Sequence, residues 1–380
     1  MKTIKFNEPY ITGRELEYIQ DVFFQKKFYG TGKYTTLCEE KIKSITGAKH
    51  ALLTDSCTAA LEITALLLRD FDKQQEVIVP SYTFSSTASA FARAGFKIVF
   101  CECDDKNMMM DINDVQKKIT KNTVAIIPVH YGGLAANIRP ICELAKKLDL
   151  VVVEDAAQGF NSSLDNQQIG TFGNFGCFSF HETKNIHCGL GGALLVNDEK
   201  YLNRARHIWE RGTNRQEVLK GLVDKYSWVE IGGSFYPSEL QSAFLFAQLE
   251  GLDDNLKKRK VIYEIYSNKL KELKENDKFH FPCIDSNLKS NYHAFFIIFN
   301  SESDADGVRQ FLVANDVHAY IGYVALHSSP VGIKMGYKPE SLSKTELLAK
   351  RVLRLPFHNN MSEKDTDRVA NLINEYFNAN

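Results

Sequence analysis

The sequence predicts an α/β protein: a large unit built on a mostly parallel sheet, followed by a smaller α+β unit. Three observations carry that prediction. Short, almost wholly apolar runs recur between residues 50 and 154, and helix-like stretches alternate with them. Strands that are apolar on both faces belong to parallel sheets covered by helices on both sides. Near Gly251 the pattern changes to long amphipathic helices around a strand-like run. At 380 residues, 44% hydrophobic and 24% charged, the chain has ordinary globular composition and ample core for two such units.

In order along the chain, Thr12-Gly13-Arg14-Glu15 has the form of a capping box, and Leu16, Ile19 and Phe23 follow at helical spacing. Strands are expected at HALLT (50–54), EVIVP (76–80), KIVFCEC (97–103), TVAIIPV (123–129) and LVVVE (150–154), with another at ALLV after Gly192. Helices are expected between the first five, over TAALEITALLLRD, SSTASAFARA, INDVQKKI and NIRPICELAKKL. Beyond Gly251, DNLKKRKVIYEIYSNKLKEL reads as a long amphipathic helix, FFIIF (295–299) as a strand, and Ser362 to Phe377 as a closing helix. The expected division is 1–250 and 251–380, and residues 1–12 could pack on the smaller unit.

A net charge of −1 gives no electrostatic pull towards nucleic acid or anionic lipid, which leaves small-molecule chemistry. The opening MKTIKFNEPYITG carries no apolar leader-like run, and no stretch reaches the roughly 18 apolar residues of a membrane span. The eight cysteines form no CxxC pair, so reduced structural thiols and a cytoplasmic setting are expected.

The segment FSFHETKNIHCGLGG (178–192) concentrates two His, one Glu, one Lys and three Gly. A metal site is not expected, because His181 and His187 do not share a helix face and HExxH is absent. Gly189-Leu190-Gly191-Gly192 lacks GxGxxG spacing, and a strand follows it where a dinucleotide fold would open a helix. Lys184 follows the apolar FGCFSF, and desolvation there would favour the neutral amine that attacks an aldehyde. Upstream, Asp55-Ser56-Cys57-Thr58 joins a strand to a helix. A phosphate on that helix N-terminus and a plain Ser56 N-cap both account for it. Asp155 ends the LVVV strand at the ligand edge of the sheet, where it could cap a turn or hold a cation such as a protonated pyridine nitrogen.

Together these segments resemble the DegT/DnrJ/EryC1 family of sugar-nucleotide aminotransferases, of pyridoxal-phosphate fold type I, the aspartate aminotransferase-like fold. TDSCTAALE, EVIVPSYTF, VVVEDAAQG, CFSFHETKN and GLGGALLVND carry the likeness over nearly the whole chain. The resemblance implies pyridoxal 5′-phosphate (PLP) as cofactor. Lys184 then matches the lysine joined to it as a Schiff base, and Asp155 the partner of its ring nitrogen. Gln158 matches a contact to the phenolic oxygen, Phe84 the stacking aromatic, and Ser56, Cys57, Thr58 and Ser179 the phosphate contacts.

The tract RGTNRQ…VDKYSWVEIGGSFYPSELQSAFLFAQLE, with LHSSPVG and LRLPFHNNMSE, looks most like the branch that aminates dTDP-4-dehydro-6-deoxy-D-glucose with L-glutamate. The product implied is dTDP-4-amino-4,6-dideoxy-D-galactose. The C4 epimer, a 3-amino product and an idle regulatory protein on the same fold are the alternatives. A dehydratase of this fold would replace the lysine, which is present here. Resemblance also implies a homodimer or larger assembly with the site at its interface, and a cell-surface polysaccharide as the destination. Tyr323 and His327 are candidates for sugar or phosphate contacts, and Arg211, Arg215 and Lys225 for the nucleotide diphosphate.

Three departures stand out. Leu190 replaces a common Glu, and Ser234 replaces the Asn that reaches a neighbouring subunit's phosphate, with Tyr236 in place of the following Arg. Gly322-Tyr323-Val324-Ala325-Leu326-His327 lacks the first His and the Pro of HYxPLH.

Overall fold

The computed structural model describes residues 2–379. Seven strands form the large sheet: β1 (Ala51–Thr54), β2 (Glu76–Pro80), β3 (Lys97–Cys101), β4 (Thr123–Ile126), β5 (Val151–Asp155), β6 (Phe175–Ser179) and β7 (Gly192–Val196). Their order is β1-β7-β6-β5-β4-β2-β3, and only β7 runs against the others. Every residue of β1, β2, β6 and β7 is buried, as two covered faces require. The helix Cys57–Leu68 packs on one face, with Leu61 and Ile63 fully buried against Val79, Phe175 and Leu194. The helix Ile138–Lys147 covers the opposite face beside Ile78, Ile126 and Val152.

The KIVFCEC and TVAIIPV strands stop early, at Cys101 and Ile126. Cys103 instead pairs with Met110 as an isolated bridge, and the chain after β4 turns towards the sheet's carboxyl edge. Asp155 belongs to β5 itself, its N–H and C=O engaged with Pro128 and His130.

Gly251 separates the helix Glu239–Glu250 from Leu252–Lys269. After it comes a four-stranded antiparallel sheet of Phe279–His280, Phe296–Phe299, Val352–Arg354 and Tyr320–Ile321, in that order. Side chains alternate across a strand, and here the alternation sorts two cores. Ile297, Phe299 and Leu353 join Ile262, Leu312 and Ile373 from the helices behind the sheet. Phe296, Ile298 and Val352 face the other way, onto Tyr82, Tyr131 and Leu134 of the large unit. Ile4 bridges Val317 and lies in the core of the C-terminal unit, so the N-terminal segment packs there.

The Thr12–Glu15 capping box is only half formed. The helix begins at Glu15, and its carboxylate accepts from Thr12 N–H and hydroxyl at 2.7 Å, Gly13 N–H at 2.8 Å and Gln248 Nε2 at 2.8 Å. Those four donors draw Glu15 inward, and the Thr12 hydroxyl donates to it instead of capping the helix. The apolar face read from Leu16 and Phe23 points outward, while Tyr18 and Val22 face the core.

Candidate active site

Four strand ends converge on one cavity of about 610 Å³. The turn after β1 delivers Ser56, Cys57 and Thr58, and that after β2 delivers Thr83 and Phe84. The end of β5 supplies Asp155 and Gln158, and that of β6 supplies Ser179 and Lys184. This is the carboxyl edge where ligands of open α/β sheets bind. The small unit closes the cavity with His293, Tyr323 and Arg354.

Ser56 turns out to be both a cap and a cavity residue. Its hydroxyl accepts from Ala59 N–H at 3.0 Å while the residue lines the pocket. The first N–H groups of a helix have no partner within it, and the positive end of the helix adds to their pull on an anion. Burial keeps the Cys57 thiol far above its ordinary pKa, so it adds no negative charge there. Thr58 bonds Ser86 at 2.8 Å, and Ser179 Oγ accepts weakly from His181 N–H at 3.4 Å. Gly192 of β7 lies so close beneath Ser56 and Cys57 that any Cβ there would strike their backbone.

Asp155 is buried, and burial pushes its carboxyl above the usual range, against hydrogen bonds from Thr87 and the Ala157 N–H. The bonds measure 2.7 Å from Thr87 Oγ1 and 3.1 Å from Ala157 N. Because Thr87 donates to Asp155, the 2.9 Å contact between Thr83 and Thr87 makes Thr83 the donor to Thr87. A carboxylate held this way, short of a cationic partner, suits a protonated ring nitrogen. Behind it, His130 Nδ1 accepts from Ala136 N–H at 3.1 Å, so Nε2 carries the proton and donates to Glu154 at 3.0 Å.

Lys184 lines the cavity and is half-buried. Desolvation lowers its pKa against the pull of Cys57 and Asp155, and the Arg354 charge pushes it down further. Its Nζ makes no hydrogen bond or ion pair among the described residues. A desolvated, unpartnered amine is a competent nucleophile. His181 also lines the cavity, its Nδ1 3.0 Å from Thr183 Oγ1, whereas His187 Nε2 bonds the Tyr10 carbonyl at 3.0 Å.

Gln158 accepts from Gly132 N–H at 2.7 Å and donates to the Tyr323 hydroxyl at 3.1 Å. Phe84 lines the mouth, exposed, with its ring centre 6.1 Å from that of Tyr323. Leu190 sits exposed on the rim, and its carbonyl accepts from Gln241.

Two expected substrate contacts lie elsewhere, and Ser234 is also away from this cavity. His327 is fully buried outside it, with Nδ1 2.7 Å from Ser81 Oγ and Nε2 3.1 Å from the Pro339 carbonyl. Its ring is a tether between segments, with both nitrogens engaged. Arg215 pairs with Glu210 at 2.5 Å and Tyr29 at 3.0 Å beside a separate cavity of about 350 Å³. Ser234 is exposed, bridged to Glu210. The loss of a side chain at Gly322 has a local reason: the Tyr82 hydroxyl occupies the space a Cβ would need. Sequence reasoning missed Thr87, His293 and Arg354. Thr87 stands three residues after Phe84, on the first turn of the helix Ser85–Arg93.

An anion cradle, a buried carboxylate and a desolvated amine on one cavity match the three ends of PLP. The sequence profile of the DegT/DnrJ/EryC1/StrS aminotransferase family matches residues 9–374. The chain belongs to that family. As an aminotransferase of this family it is an enzyme that uses PLP. GDP-perosamine synthase of Escherichia coli O157:H7 is 27% identical over 381 residues, covering 99% of each chain. The dTDP-4-dehydro-2,3,6-trideoxy-D-glucose 4-aminotransferase of Saccharopolyspora spinosa is 26% identical, covering 97% of this chain and 95% of the other. Among solved structures, the aminotransferase TlmJ from Streptoalloteichus hindustanus superposes with a TM-score of 0.90 at 25% identity, covering 100% of each chain. Among the described residues, no helix is long and apolar enough to cross a membrane.

Proposed function

We propose that this family member transfers an amino group from L-glutamate to C4 of dTDP-4-dehydro-6-deoxy-D-glucose. The products are dTDP-4-amino-4,6-dideoxy-D-galactose and 2-oxoglutarate. The observation that carries the amino-transfer reading is the unpartnered, desolvated Lys184 facing the cavity that also holds Asp155. Sugar nucleotides are supported by the two relatives named above, one acting on a GDP sugar and one on a dTDP sugar. The 4-amino-4,6-dideoxygalactose branch rests on the likeness of the 211–250 tract and the LRLPFHNNMSE segment.

When bound, PLP supplies an aldehyde that holds amines covalently and a ring that accepts the electron pair released at the neighbouring carbon. The protein supplies the rest. Ser56, Cys57, Thr58 and Ser179 hold the phosphate. Asp155, oriented by Thr87, keeps the ring nitrogen protonated. Gln158 holds the phenolic oxygen, and Phe84 packs on the ring. Lys184 Nζ removes the proton from the donor's α-carbon and later returns one to sugar C4, so the face on which it sits sets the configuration of the new amine.

The same reading includes a homodimer. The outward face of the helix Glu15–Gln25 exposes Leu16 (73%), Phe23 and Phe24 (84%), and Trp228 is 75% exposed on the 211–234 tract. Exposed large apolar groups of this kind belong at an interface. Ser234, on the same tract as Trp228, is then available to the second copy's phosphate site. Gly251 divides the cofactor-holding unit, 1–250, from the smaller one, 251–380. Eight free cysteines fit a reducing cytoplasm, and a cell-surface polysaccharide is the product's destination.

The test is incubation with L-glutamate and a panel of 4-keto and 3-keto nucleotide sugars, with products assigned by NMR. The reading predicts an axial 4-amino group from the dTDP-4-keto sugar. An exclusively 3-amino or equatorial 4-amino product contradicts the branch and leaves amino transfer standing.

A further inference from the structure

We infer that the cavity of about 350 Å³ beside Arg215 is a second anion site, where Arg206, Lys43 and Glu39 hold a phosphate group away from the cofactor. It lies between the helices Lys33–Thr46 and Leu202–Trp209, over the edge strand β1. Ala51 and Leu52, at the amino end of that strand, belong to its lining, whereas Ser56 follows the strand's other end in the cofactor cavity. The two cavities share no lining residue, so this site does not depend on the amino-transfer reading.

Six basic side chains line the cavity against two carboxyls, Glu39 and Glu40. Three of the six are matched within the chain: Lys43 with Glu40 at 2.6 Å, Lys49 with Glu199 at 3.5 Å, and Arg215 with Glu210. Lys27, Arg206 and Lys220 pair with no carboxylate among the described residues. Arg206 is half-buried, and its fork makes no hydrogen bond either. A guanidinium held that way in a cavity calls for an anion from outside the chain.

Glu39 fits the same ligand. One of its oxygens accepts from Leu53 N–H at 3.0 Å, and the other has no hydrogen-bond partner among the described residues. Desolvation pushes the carboxyl up to about 7, against that bond and the charges of Lys43 and Arg206. Both charges act on Glu39, so the three groups stand together. In its protonated form Glu39 adds an O–H donor to the arginine fork and the ammonium. Three unmatched cations beside a nearly neutral carboxyl exceed what one carboxylate offsets. A phosphate carries close to two charges and offers acceptors on every side.

The pH dependence follows from Glu39. The charged and titratable groups around it are Glu40 and Lys43 on its own helix, Lys49 and His50 before β1, Arg206 on the helix Leu202–Trp209, Arg215 and Lys220 beyond, and Lys27 at the rim. As pH rises through 7, Glu39 loses the donor proton and sets a carboxylate against the anion, so affinity falls. Glu39→Gln leaves all the other groups in place and isolates its share.

The test uses the PLP-loaded enzyme and sulfate, a dianion whose own charge does not change near neutral pH. Binding is measured by calorimetry at about pH 6 and about pH 8.5, on either side of the Glu39 carboxyl. Removing the fork predicts roughly tenfold or weaker sulfate binding in Arg206→Ala, with the PLP absorbance unchanged. Wild-type affinity should fall roughly tenfold between the two pH values, and Glu39→Gln should flatten that slope. The Arg206-dependent sulfate is then displaced with inorganic phosphate or with dTDP. Displacement by phosphate alone assigns a free anion, and displacement by dTDP at the lower concentration assigns the diphosphate of a nucleotide; either result supports the site. Should Arg206→Ala fail to fold, Lys43→Ala carries the same expected direction of loss. Sulfate affinity within about threefold of wild type in a folded Arg206→Ala or Lys43→Ala variant overturns the assignment. So does a pH slope that Glu39→Gln leaves as steep, or bound sulfate that neither phosphate nor dTDP displaces.

Discussion

The Gln158 side-chain amide donates to the Tyr323 hydroxyl at 3.1 Å, a bond that crosses from the large unit to the small one. With Gly132 N–H on its other end, at 2.7 Å, the amide is fixed in one orientation. Tyr323→Phe removes the acceptor and leaves an amide donor without its partner, which should cost about 1 kcal/mol of stability. Denaturant unfolding of Tyr323→Phe, Gln158→Ala and the double variant measures the coupling between them. Strictly additive losses would show that the bond contributes nothing.

Glu154 accepts four hydrogen bonds with no exposed surface: His130 Nε2 at 3.0 Å, Gly170 N–H at 2.9 Å, and Phe172 and Gly173 N–H at 2.7 Å. Glu154→Gln turns an acceptor into a donor facing donors and removes the charge. The expected loss is about 3 kcal/mol in denaturant unfolding. The damage should extend to cofactor binding, because the neighbouring Asp155 is carried by the same strand.

Lys184 gives a pH dependence with a definite sign. Burial lowers its pKa in the folded state below the ordinary lysine value of 10.5. The unfolded chain therefore binds more protons in the window between the lowered value and 10.5, and stability rises with pH across it. Lys184→Met should raise the melting temperature of the cofactor-free protein at neutral pH. The gain should shrink as pH rises through that window and vanish above 10.5, where the wild-type amine is neutral in both states. Thermal unfolding of both proteins across that range checks it, and a pH-independent difference would contradict the desolvation account.

Phe24, 84% exposed, belongs in the proposed interface between two copies. Phe24→Glu places a charge there and should shift sedimentation from dimer to monomer, because an unpaired charge resists burial. Turnover should fall with it, since the second copy's Ser234 would no longer reach the phosphate site. A variant that sediments and turns over like wild type would remove this face from the interface.

The strands were legible because the large sheet is covered on both faces, so each strand is a nearly unbroken apolar run. GALLV of β7 follows the same rule, and so does FGCFS of β6, which in the sequence reads only as an apolar stretch before Lys184. Lys184 and Asp155 were legible once their places after those runs fell on one sheet edge. Arg354 was not, because an arginine before LPF carries no local sign that it lines a cavity built mostly by residues before 200. His327 misled for the converse reason: a histidine in a substrate-facing segment is buried by Ser81 and Pro339, distant partners that local reading does not supply. The helix Glu15–Gln25 shows a third limit. Leu16 and Phe23 do recur at helical spacing, but both are exposed, Phe23 meets only the edge of Phe28, and the buried face is that of Tyr18 and Val22.

The central claim is that Lys184 is the amine on which the chemistry turns. The direct measurement is borohydride reduction of the PLP-loaded enzyme, then peptide mapping by mass spectrometry, beside turnover of Lys184→Ala. The account predicts the reduced cofactor on the peptide containing Lys184 alone, and turnover of Lys184→Ala at least a thousandfold below wild type, of the order that general acid–base catalysis supplies. Cofactor fixed on another lysine, or a Lys184→Ala variant with wild-type turnover, would contradict it.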